Sequence, residues 1–297
     1  MDYFAKLCAL AILLSAAVSV ANEAASSAAT ANSTIVVRYY DRGAKDSRHA
    51  YKFALIKQVL EVTRPEFGDY RLAPFHDEPS YKRQAVLISE GQILNLLWAS
   101  PGTVVARADV YPVPIDILKG LLGYRVCLKN PDNFPDMQQL KDLGQLTIGQ
   151  VFNWQDNAIY KHNGLTPKPS PTFEALFDML GAKRFQCLAL GADEAMRVFR
   201  EKKPEFPFLA VDSDVLIHYD YPVYLYVSKN APLLAKRVEL GLKKLQGNGD
   251  FDRLFNKYHA EDLAFLNLRQ RKVFCLPSPY VADDNQCDKP LELPGNK

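Results

Sequence analysis

The sequence has little that marks a catalyst. Its five histidines, at positions 49, 76, 162, 218 and 259, are scattered, and no two make a His-x-x-x-His pair. There is no Gly-x-Ser-x-Gly elbow, no phosphate-binding glycine loop and no Gly-x-Gly-x-x-Gly turn. His76-Asp77-Glu78 follows a strand-like run and precedes Pro79, so it reads as a solvated loop. Asp212, Asp214 and Asp220 lack the spacing of a calcium loop. These absences remove the reason to propose an enzyme, and no cofactor and no metal are expected. Charge of one sign is lacking too: 36 basic and 34 acidic side chains leave a formal charge of +2. Nothing there calls for nucleic acid as a partner.

Long apolar runs are also scarce. The one candidate, residues 7–20, is too short to span the ~30 Å of hydrocarbon in a bilayer. It follows Lys6 and ends at Ser19-Val20-Ala21, small residues of the kind a signal peptidase reads. Residues 1–21 are therefore expected to be a secretory signal peptide. Residues 22–33, rich in Ala and Ser, read as a disordered leader. The expected compartment is periplasmic, with no membrane insertion of the mature chain. Disulfides persist there, and Cys127, Cys187, Cys275 and Cys287 remain to form them. Sequence alone leaves the pairing open. Cys275 with Cys287 is the preferred pair, while Cys127 and Cys187 could pair or stay as buried thiols.

What is present is alternation. Strand-like runs at 35–40, 70–75 and 93–98 are separated by helical patterns at 49–62 and after Ser80. A proline-rich passage at 112–114 opens an extended segment to Lys129. The alternation then resumes: a helix at 137–143, a strand at 145–151, a helix at 154–162, and Ser170-Pro171 as the start of the next helix. A strand at 185–190, a helix at 193–201 and a strand at 206–211 come next. An extended run at 221–227 precedes helices at 231–245 and 251–258. Two rounds of alternation imply two α/β lobes. The expected division is 34–112 plus 221–275 for lobe 1, 113–220 for lobe 2 and 276–297 as a C-terminal tail. Each lobe is expected to hold a mainly parallel sheet flanked by helices, and two hinge crossings join them.

Four segments carry a family likeness. They are the opening strand–helix unit at 35–61, the passage Pro112-Val113-Pro114-Ile115-Asp116-Ile117-Leu118-Lys119-Gly120, the stretch 173–180 leading to Arg184-Phe185, and the ending 245–258 with its Gly247-Asn248-Gly249 break. Through them the chain resembles the bacterial extracellular solute-binding proteins of family 3, the type 2 periplasmic binding fold. The resemblance implies a monomer that closes by hinge motion on a small polar ligand, amino-acid-like or a small carboxylate. It implies a membrane permease or sensor as what reads the closed form. Amino-acid binders of this family place an arginine three residues after a Thr or Ser. Here Arg107 stands one residue later after Thr103. An alternative keeps the fold as an extracytoplasmic sensory or interaction module without tight solute binding, and a hydrolase or transferase on the same scaffold is a third.

In open α/β sheets, ligands bind outside the carboxyl ends of the strands. That rule selects Tyr40 and Asp41 after the first strand, and Trp98 and Ser100 after the third, with Arg107 beyond. Across the cleft it selects Asn153, Trp154 and Ser170. Each has a plainer reading. The tryptophans and Tyr40 could be packing residues. Asp41 fits a turn, Ser170 a helix cap, and Arg107 a surface partner of Asp109.

Overall fold

The computed structural model describes residues 34–41, 49–134, 139–282 and 287–288. The expected signal peptide and leader lie outside them, as do 42–48, part of the expected helix at 137–143 and most of the tail.

The first lobe opens with β1 (Ile35–Tyr40), α1 (Ala50–Val62), α2 (Arg64–Phe67), β2 (Tyr70–Phe75), α3 (Tyr81–Glu90), β3 (Leu96–Ala99) and β4 (Val110–Val113). Ser80 caps α3 by accepting from the Arg83 amide, and Gly91 ends it in a left-handed turn at φ +72°. The chain then crosses to the second lobe. This comprises β5 (Tyr124–Lys129), β6 (Ile148–Val151), α4 (Asp156–His162), β7 (Lys168–Ser170), α5 (Phe173–Gly181), β8 (Cys187–Gly191), α6 (Ala195–Lys202), β9 (Ala210–Val211) and β10 (Val215–His218). The chain returns for β11 (Tyr224–Ser228), α7 (Pro232–Gly247) and α8 (Asp250–Leu266), and ends in β12 (Lys272–Cys275).

One sheet has the order β2-β1-β3-β11-β4; the other runs β12-β10-β5-β8-β6-β7, with β9 on β5. The two-lobed α/β class is the one expected, and both sheets are mixed. β1 pairs in parallel with β2 and β3, while β11, arriving from the crossing, runs antiparallel to β3 and β4. β5 is antiparallel to β8 and β10 for the same reason. Three further differences stand out. β12 pairs with β10, from Val215↔Lys272 to His218↔Cys275, so residues 272–275 join the second sheet rather than lobe 1. A chain leaving α8 therefore passes between the lobes a third time. Gln139 and Leu140 are not helical; a short 3-10 turn at Leu143–Gln145 comes instead. Ser170 ends β7, and Thr172 is the cap of α5, its hydroxyl accepting from Ala175.

Both disulfides form. Cys127–Cys187 links β5 to β8, and Cys275–Cys287 closes a loop after β12. The apolar core is continuous through both lobes. Val37, Leu55, Val59 and Leu225 of the first lobe, Val126, Leu176, Phe177 and Leu190 of the second, and Phe251 and Phe255 of α8 belong to one cluster. Arg237 on α7 is fully buried and spends its guanidinium on Leu60 O, Gly68 O and the Thr63 hydroxyl, which are acceptors around the end of α1.

The crossings at 114–123 and 219–223 lie backbone to backbone. A Cβ at Gly123 would stand 2.1 Å from Tyr219 O, so only glycine fits there. Asp116 ties the two passages: its carboxylate accepts from Leu118 N, Gly120 N and Val223 N at 2.9, 2.7 and 3.0 Å.

Candidate functional site

β3 ends at Ala99, β6 at Val151 and β8 at Gly191, and all three ends face the crossings. Arg125 pairs with Gly191 in the ladder, next to the start of β5, and Tyr224 pairs with Ala99 at the start of β11. Polar groups gather along this line.

Two charged pairs sit there, both buried. Lys52, on the first turn of α1, meets Asp193, two residues past β8, at 3.5 Å across the gap between lobes. Their side chains are 8% and 3% exposed. Arg125 is bound to Asp156, whose Oδ1 also accepts from the Tyr219 hydroxyl at 2.5 Å. The Arg125 guanidinium lies 5.1 Å from the Tyr219 ring and 6.0 Å from that of Tyr221. Burial works against the charge on Arg125, and the Asp156 carboxylate together with Tyr219, Tyr160 and Glu194 outweighs it, so its pKa is raised. Burial holds the Tyr219 and Tyr221 phenols well above their usual range. These phenols stay neutral donors at any physiological pH. Behind Lys52 and Asp193, His259 of α8 is 3% exposed, with its ring 4.9 Å from Tyr51. Burial pushes its pKa down to about 4.

The residues singled out by strand ends fall into two groups. Ser100 is buried, one residue past the end of β3. Arg107 is exposed and donates to Gly102 O at 2.6 Å, which pins the loop that carries Ser100. Trp154 is half-buried with its ring 6.0 Å from Phe173, and Asn153 beside it is exposed. Ser100 and Arg107 lie on the loop after β3, and Asn153 and Trp154 on the loop after β6. The others are spent elsewhere. Tyr40 packs with Leu87, Ile88 and Leu97 on the α3 side of the sheet. Asp41 lies 3.3 Å from His76 Nδ1. Trp98 is sealed under Phe53 and His49, at 5.2 and 5.3 Å. Ser170 donates to Thr172 O.

Sequence reasoning missed Lys52, Arg125, Tyr221 and Tyr280. The signal was there for two of them: Lys52 interrupts the apolar stripe of α1, and Arg125 interrupts an apolar strand. A charge in such a run must find a partner.

A hollow of about 260 Å³ lies against the crossings, bounded by Asp116, Tyr124, His218, Tyr221 and Tyr224. A larger one, about 410 Å³, lies away from the strand ends between α6, β9 and the end of α8. Its cations are committed to carbonyls: Lys203 to Pro207 and Leu209, Arg271 to Leu266, Asp212 and Val215. The smaller one has the placement that open α/β sheets favour. Among the described residues, no group of three His, Cys, Asp or Glu could hold a metal, and no helix is long and apolar enough to cross a membrane.

This arrangement is the two-lobed periplasmic binding protein fold. The chain is similar to a periplasmic binding protein of Salmonella typhimurium described for its high arginine specificity. Identity is 12%, over 76% of this chain and 100% of the other, with a TM-score of 0.52. It is similar to a histidine kinase sensor domain that itself resembles periplasmic binding proteins, with 16% identity over 76% and 95% and a TM-score of 0.53. A TRAP periplasmic solute-binding protein from Rhodobacter sphaeroides matches with 12% identity over 82% and 88% and a TM-score of 0.53. At these identities the likeness is one of fold. No protein-family model matches the chain. No curated relative matches it either.

Proposed function

We propose that this chain is an extracytoplasmic receptor whose two lobes close on a small polar solute, amino-acid-like or a small carboxylate, for transport or sensing. The observation that carries this reading is the convergence of polar groups from both lobes at the strand ends. Ser100 and Arg107 stand on one side, and Gln155, Asp156 and Asp193 on the other. Ligand contacts made by both lobes favour the closed state alone, so binding shifts the population toward it. Arg107 supplies a cation at the rim for a carboxylate, and Trp154 an apolar wall. Tyr40 and Ser170, committed to packing and to a local bond, have no part in it. The paired crossings and their Asp116 tie are the natural hinge. A permease or sensor would read the closed form. The two disulfides fit an oxidising compartment. The reading includes no chemical step.

The test is a thermal-shift screen with the common L-amino acids, putrescine and succinate. A ligand-dependent rise in melting temperature in at least one case is expected; no rise with any of them overturns this reading. One observation favours the second reading, a sensory or interaction module without tight solute binding: Lys52 and Asp193 already pair with each other across the gap. That module would show no shift and would bind a partner protein.

A further inference from the structure

β12 runs parallel to β10, so the chain leaves the second sheet at its hinge end, beside His218. Beyond Cys275 the chain stays against the protein instead of turning away into solvent. Leu276 N donates to His218 O at 2.8 Å, and Asn163 Nδ2 donates to Pro277 O at 2.9 Å. Leu276 and Ser278 are 7% and 2% exposed. The segment then delivers Tyr280 between the lobes. Its ring lies on Gly102, where a Cβ would stand 2.1 Å from the ring edge. Its hydroxyl lies 3.2 Å from Gln155 Oε1 and 3.4 Å from Gln155 O. Its ring centroid is 6.0 Å from that of Tyr221, on the second crossing. Gly102 belongs to the loop after β3, in the first lobe, and Gln155 to the loop after β6, in the second. One side chain thus touches both walls and the hinge of the gap that a solute would enter. Cys275–Cys287 closes the loop that carries it.

We propose that residues 276–281 form a strap that occupies the interlobe gap and competes with solute, with Tyr280 as its tethered plug. This deepens the receptor reading above and rests on it only for a solute as the competitor; that the strap bridges the lobes stands on its own geometry. A tethered group acts at millimolar effective concentration. A solute must therefore displace it, and its apparent affinity falls by the fraction of molecules in which the gap is free. If the strap is seated in about nine molecules of ten, releasing it tightens binding about tenfold. The phenol suits the role: it offers a flat face to a glycine that has no side chain to keep it away, and a donor to an amide oxygen.

The test uses the full oxidised chain and three forms of it: Tyr280→Ala, Tyr280→Phe, and Cys275→Ser with Cys287→Ser. Amide hydrogen exchange is followed at Gly102, Thr103 and Gln155, and the radius of gyration by small-angle scattering. Tyr280→Ala is expected to raise exchange at those amides at least tenfold and to enlarge the molecule. The double serine form is expected to do the same, and Tyr280→Phe to fall between. Titration with the same L-amino acids, putrescine and succinate is expected to give about tenfold tighter binding to Tyr280→Ala. Exchange and size unchanged in the alanine and double serine forms overturn the strap, whatever binds. Raised exchange with no compound binding to any form supports the strap and defeats the receptor reading. Equal affinity for parent and Tyr280→Ala overturns the competition. If the alanine form does not fold, the phenylalanine and double serine forms carry the same comparison.

Discussion

Replacing Lys52 by methionine removes the cation that faces a carboxylate 4% exposed between the lobes. Asp193 Oδ2 meets the Lys52 ammonium at 3.5 Å, and Oδ1 has no hydrogen-bond partner among the described residues. Methionine fills nearly the same volume, so the packing term is small. What is left is a buried anion without its cation, which costs about 3–5 kcal/mol. The assay is urea unfolding of parent and Lys52→Met at neutral pH. Lys52→Met with Asp193→Asn is expected to recover most of the loss, with a coupling on the order of 0.5–3 kcal/mol. A deficit below about 0.5 kcal/mol would show that this pair is solvated and would refute the reasoning.

Three more outcomes are expected. His259, with a folded pKa of about 4 against an ordinary 6.5, binds fewer protons folded than unfolded between those values. Stability should therefore drop as pH falls through that window, by roughly 3 kcal/mol in all, and His259→Phe should flatten the profile; melting temperatures across it decide. Cys127→Ala with Cys187→Ala opens a link between residues 60 apart, and loop-closure entropy puts the loss at about 4 kcal/mol, read by denaturant midpoint. Trp98→Ala should cost about 3–5 kcal/mol, as expected of a sealed core position, and the same change at half-buried Trp154 clearly less. Equal costs would mean that the two tryptophans share one environment.

The alternation of elements was readable because it is local. The helix at 50–62, the cap at Ser80 and the strand at 35–40 each arise from residues a few positions apart. The sheet edges were not readable. Val215–His218 lies among Asp212, Asp214 and Asp220, so its acids hid its apolar run; Lys272–Cys275 is too short to show a period. Val215–His218 is a strand through its pairing with β5 on one side and Lys272–Cys275 on the other, and Lys272–Cys275 through its pairing with Val215–His218. The site divided the same way. Strand ends pointed to Ser100 and Arg107, which lie on the loop after β3. They could not tell that Tyr40 would face the α3 side, because which face a last strand residue takes depends on register. Tyr280 was out of reach altogether, since its place depends on a strand and a cystine that bring distant residues together.

The second sheet is finished by its last arrival. β10 keeps one bare edge until residues 272–275 reach it, and those residues come after α7 and α8 have been laid down on the other lobe. The halves therefore cannot mature one after the other, each sealed before the next begins. A chain stopped anywhere before β12 would carry an open row of backbone donors and acceptors, the kind of edge on which neighbouring chains aggregate.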